Sequence, residues 1–100
     1  MIERYVFIRL DEQHATQQGR AEVVTRTREV LPKLPGVVSV TVGTPADDSS
    51  AGAWDISIVV RFQRVEEIAG YSQHPDHRVY VDEFLAPRMK VIKAWNFEVA

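Results

Sequence analysis

The sequence predicts an α+β domain: one sheet of four antiparallel strands with helices packed on one face. Three observations lead there. Four stretches have strand character. Two stretches between them carry apolar residues at helical spacing. The chain has 100 residues, 45% hydrophobic and 26% charged, which suffices for one core and not for two. One domain over residues 1–100 follows.

The elements can be taken in order. Residues 2–10 alternate, with Ile2, Val6, Ile8 and Leu10 on one face and Glu3, Tyr5, Phe7 and Arg9 on the other. Thr16 is a candidate N-cap for a helix running over 21–34, whose apolar positions are Val23, Val24, Thr27, Val30, Leu31 and Leu34. Pro35-Gly36 turns the chain into a β-branched strand over 37–43. Residues 44–53 are small and polar, and read as a mobile hairpin connection. Over 54–62, Trp54, Ile56, Ile58, Val60 and Phe62 share one strand face. A short helix over 64–71 turns Val65 and Ile68 inward. A second helical piece over 76–85 carries His77, Tyr80, Val81, Phe84 and Leu85. The last strand covers 91–99. The order β-α-β-β-α-β, with the second helix broken, is the split βαβ or ferredoxin-like arrangement.

Composition narrows the function. Twelve basic against fourteen acidic residues give a net charge of −2, so no basic field recruits nucleic acid or an anionic membrane. The absence of cysteine excludes a disulfide framework, a thiolate nucleophile and cysteine-ligated metals. No apolar run approaches a membrane span, and the first residues do not read as a signal peptide, so a cytoplasmic protein is expected. No phosphate loop or nucleophile elbow occurs. Tyr5, Phe7 and Val59 face away from the helices, and the last strand is apolar on both parities, Ile92 and Ala94 against Trp95 and Phe97. Such a face needs cover, and a second copy packed sheet to sheet supplies it.

The chemistry concentrates in residues 70–80, GYSQHPDHRVY, which hold two of the three histidines. Pro75 suits the first position of a helix and makes His74 its N-cap, with Asp76 and His77 in the first turn. The positive end of a helix favours neutral imidazole, the form a general base requires. Tyr71, six residues earlier, offers a phenol to a carbonyl or enolate oxygen. The other reading makes His77 a brace bonded to backbone and Tyr71 a core residue. His74 and His77 with one carboxylate make a poor metal site, so neither metal nor cofactor is expected.

These residues carry a resemblance. The strand Tyr5-Val-Phe-Ile-Arg-Leu, the turn Leu34-Pro-Gly-Val, the strand Trp54-Asp-Ile-Ser-Ile-Val-Val-Arg-Phe and above all Tyr71-Ser-Gln-His-Pro-Asp-His77 resemble the stress-responsive dimeric α/β-barrel (Dabb) family over about residues 2–99. The resemblance implies a ferredoxin-like protomer, a homodimer closed by its two sheets, and a pocket between sheet and helices. A few plant members are polyketide cyclases that use a Tyr and the second His of this motif, here Tyr71 and His77. His77 would remove a proton beside a carbonyl that Tyr71 polarises. The family often carries a His where Tyr5 stands, and the bulkier Tyr5 would alter the ligand. Related heme-degrading and quinol-oxidising barrels lack the H-P-x-H signature.

The expectation is a homodimer that binds a small, largely apolar carbonyl compound near Tyr71 and His77, with Tyr5, Phe7, His74 and Tyr80 as lining residues. A cofactor-independent cyclase or isomerase is the second reading. A non-catalytic structural or stress protein is the third.

Overall fold

The computed structural model describes all residues, Met1–Ala100. Its sheet has the order β2-β3-β1-β4, every neighbour antiparallel. The strands are β1 (Ile2–Leu10), β2 (Ser39–Gly43), β3 (Ile56–Phe62) and β4 (Met89–Glu98). The helices are α1 (Gln17–Val30), α2 (Asp48–Ala53), α3 (Glu67–Gln73) and α4 (Pro75–Val79), the last continuing as a π-helical turn over Tyr80–Leu85. This is the ferredoxin-like order the sequence predicts.

Alternation in β1 and β3 does what the pattern requires. Ile2, Val6, Ile8 and Leu10 of β1 and Ile56, Ile58, Val60 and Phe62 of β3 are buried on the inner face, under the helices. Val23, Leu31 and Ile68 come down on them from above, and Tyr80, Phe84 and Leu85 close the same core. One polar pair is buried among them: the hydroxyls of Thr27 and Tyr80 lie 2.6 Å apart and satisfy each other.

Several boundaries differ from the sequence reading. Helix α1 starts earlier because the Gly19 N–H donates to Thr16 Oγ1 at 2.9 Å. Gly19 is required there: a Cβ would lie 1.9 Å from the His14 carbonyl oxygen. The helix ends at Val30 and tightens into a 3-10 turn over Leu31–Lys33, since Pro32 has no N–H to continue the α pattern. Gly36 then turns the chain with φ of 81°.

The 44–53 segment is not a bare loop. Asp47 caps α2 by accepting from the Ser50 N–H at 2.8 Å, and Arg9 Nη1 donates to the Ala51 carbonyl at 2.8 Å. Trp54 does not share the inner face of β3. It packs on the outer face against Phe7, ring centroids 5.8 Å apart. The strand begins after Asp55, which is buried and accepts from the Leu10 N–H and from Nε and Nη2 of Arg20. Helix α3 begins at Glu67, so Val65 stays outside it, half exposed. No helix is long and apolar enough to cross a membrane.

Candidate functional site

The break between α3 and α4 is built as its residues dictate. His74 is extended, with Pro75 opening the next helix, and the Asp76 N–H donates to Nδ1 of His74 at 3.1 Å. His74 is therefore the brace of the break, and its imidazole is engaged with backbone instead of facing Tyr71.

The break brings Tyr71 and His77 together. Their ring centroids are 4.6 Å apart, at an interplanar angle of 59°. Tyr71 is 2% exposed and meets the Phe62 ring edge-on at 5.1 Å. The Tyr80 ring is also near His77, with centroids 6.4 Å apart. Its hydroxyl is taken by Thr27, whereas no side chain bonds the Tyr71 hydroxyl. After the short α4 the backbone widens, and the Ala86 N–H reaches five residues back to the Val81 carbonyl at 2.8 Å.

The electrostatics separate the two groups. Burial, then the charges of Arg78 and Arg4, lower the pKa of His77 below its ordinary 6.5. The Ser72 backbone and Asp82 act the other way and are outweighed. Nδ1 of His77 is buried and makes no well-formed hydrogen bond, the ring's polar contact being a weak one to the Ser72 backbone. Burial and the neighbouring Tyr80 raise the pKa of Tyr71 strongly, and Arg4 opposes them. Tyr80 is pushed up to about 12, chiefly by burial. Near neutral pH the site thus presents a neutral imidazole and a protonated phenol, an acceptor beside a donor.

Two expected lining residues do not belong here. Tyr5 and Phe7 point out of the other face of the sheet, because odd positions of β1 face away from the helices. There Tyr5 meets Phe97 at 5.7 Å and Phe7 meets Trp95 at 6.4 Å. The Tyr5 hydroxyl donates to Glu3 Oε1 at 2.5 Å, and that bond raises its pKa. The polar residue of β1 on the inner face is Arg4. Its even position, shared with Ile2 and Val6, was the available signal.

An enclosed pocket beside Tyr71 and His77 was also expected. None of the five main clefts of the protomer is lined by either residue. Aromatic packing of Phe62, Tyr71, His77 and Tyr80 takes up that space. Open surface lies instead along the inner side of β4, where Ile92, Ala94 and Asn96 are exposed. On the outer face, a shallow cleft of about 500 Å³ lies among Tyr5, Phe7, Trp95 and Phe97.

Comparison with known proteins agrees with this fold. The model of the stress-responsive A/B barrel domain family matches residues 2–99. The chain belongs to that family. Among solved structures, a Dabb family protein with a ferredoxin-like fold from Mesorhizobium loti superposes with a TM-score of 0.82 at 16% identity, covering 99% of this chain and 96% of its own. A dimeric ferredoxin-like protein of unknown function from Thermobifida fusca gives 0.81 at 21% identity, covering 98% and 90%. A hydroxynitrile lyase from Passiflora edulis gives 0.79 at 16% identity, covering 99% and 93%. A search of curated proteins finds no match. At these identities the structural likeness establishes the fold.

Proposed function

We propose that this Dabb domain is a homodimeric barrel protein that binds a small, largely apolar carbonyl compound at Tyr71 and His77. The observation that carries this is the pairing of an unbonded, protonated phenol with a neutral imidazole 4.6 Å away whose buried Nδ1 makes no well-formed hydrogen bond beyond the Ser72 backbone contact. Buried polar atoms in native proteins are normally well bonded, and a ligand would complete what the Ser72 contact leaves unmet. The ligand approaches over the uncovered inner strip of β4. Tyr71 is 2% exposed, so binding requires a side-chain shift, a common event at binding sites. His74 and Tyr80 support the site, through the helix break and the Thr27 bond, without lining it.

The homodimer rests on the outer face. Trp95 and Phe97 are half exposed there, in line with Tyr5 and Phe7, and sheet-to-sheet packing would bury them all. The T. fusca neighbour is described as dimeric. Sedimentation equilibrium should give twice the 11.4 kDa protomer mass.

The test of binding uses the methyl ester of β-benzoylpropionate, an apolar ketone, in isothermal titration calorimetry. Tyr71→Phe should weaken it about fivefold, the value of one neutral hydrogen bond. Saturable binding that Tyr71→Phe leaves unchanged would overturn the assignment.

The neutral state of His77 favours a second reading, an acid–base enzyme of cyclase or isomerase type. His77 would take a proton from the carbon beside a carbonyl, with Tyr71 donating to the developing enolate oxygen. The hydroxynitrile lyase shows that the fold hosts an enzyme. Exchange of the ketone's α-hydrogens in deuterated water should be accelerated by the protein, and His77→Ala should slow it by about 10²–10⁴-fold.

A further inference from the structure

We propose that Arg4 is the anion-binding residue of this site, and that the ligand carries a carboxylate in addition to its carbonyl. The inference rests on the reading of Tyr71 and His77 as a carbonyl site and adds the ligand's charge to it.

Placement comes first. Arg4 is the one charged residue among the even positions of β1; Ile2, Val6, Ile8 and Leu10 are all buried under the helices. It pairs with Val60 of β3 and Asn96 of β4, while its neighbour Ile2 pairs with Phe62. Phe62 is therefore diagonal to Arg4 on the same sheet face, within reach of a long side chain. Phe62 is also the ring on which Tyr71 packs, at 5.1 Å. In agreement, the Arg4 charge acts on both Tyr71 and His77.

Partners come second. Arg61 on the outer face is matched by Glu3 at 3.3 Å, and Arg9 is bonded to the Ala51 carbonyl. Arg20, Arg64, Arg78 and Arg88 each have a carboxylate partner. Arg4 has none. Its only hydrogen bond runs from Nη1 to Asn96 Oδ1 at 2.9 Å, a neutral acceptor that orients the guanidinium and leaves its charge uncompensated. A guanidinium has five N–H donors and matches a carboxylate with two parallel bonds. An oriented cation beside a donor–acceptor pair, next to the open strip of β4, suits a small keto acid with an apolar body.

The test compares β-benzoylpropionate with its methyl ester, which differ in that one charge. The wild type should bind the carboxylate about tenfold or more tightly than the ester, the scale of a charge-assisted hydrogen bond. Arg4→Gln should abolish that preference, lowering carboxylate affinity far more than ester affinity, and Arg4→Lys should keep part of it. Equal affinities for both probes in the wild type, or a preference that survives Arg4→Gln, would overturn this inference and leave the carbonyl site standing. If neither probe binds, or Tyr71→Phe changes neither, the carbonyl reading falls and this one with it.

Discussion

His77 shows how one residue's environment becomes a measurable property. Tyr71 and Tyr80 lie close to its ring, burial and the charges of Arg78 and Arg4 oppose protonation, and the Ser72 backbone and Asp82 only partly offset them. The folded protein therefore resists protonating His77, whereas the unfolded chain accepts the proton near the ordinary pKa of 6.5. The unfolded state then binds more protons below that value, so stability is full above it and is lost as pH falls through it and on to the folded pKa. The wild type should lose more melting temperature between about pH 7.5 and about pH 5 than His77→Gln does. Parallel melting curves for the two proteins would contradict the buried, neutral assignment. Tyr71 and His77 were legible as candidates because a Tyr, a Pro-marked break and a second His sit within seven residues. Arg4 was not, since an arginine on a strand ordinarily points to water; its even position gives its face, but only the register with Val60, Phe62 and Asn96 brings it toward Tyr71.

At the scale of elements, the hydrophobic alternation of β1 and β3 and the cap at Thr16 were readable because local chemistry determines them. The end of α1 was not, because Val30 to Leu34 keeps helical spacing while Pro32 forces a tighter turn. The start of β3 was misjudged for a tertiary reason. Asp55 leaves the alternating pattern to tie β3 to β1 and α1, bonding the Leu10 N–H at 2.8 Å and Arg20 at 2.8 and 3.0 Å. Trp54 is thereby turned to the outer face. Asp55 is 1% exposed, so Asp55→Ala strands a backbone donor and an arginine; Arg20 keeps some solvent contact, which moderates the loss. Urea unfolding should show a loss of about 2–4 kcal/mol. A loss of only a few tenths would mean that the strand junction is held elsewhere.

For the molecule as a whole, the sheet separates two tasks. Its inner face carries the core, the Tyr71–His77 pair and Arg4. Its outer face carries Tyr5, Phe7, Trp54, Trp95 and Phe97, an aromatic surface suited to a second copy. The sequence already implied a second apolar face, because aromatics on the wrong parity of an amphipathic strand need cover. The same alternation placed Tyr5 and Phe7 on that face, so naming them as lining residues beside Tyr71 and His77 took no account of which side of the sheet each occupies. The central claim is that the ligand binds on the inner face. The most direct measurement is a heteronuclear NMR titration of the labelled protein with β-benzoylpropionate. The account predicts saturating shifts at the Arg4 guanidinium, the Tyr71 ring and the His77 imidazole, with Tyr5, Trp95 and Phe97 unmoved. Shifts confined to Tyr5, Trp95 and Phe97 would place the ligand on the outer face and contradict it.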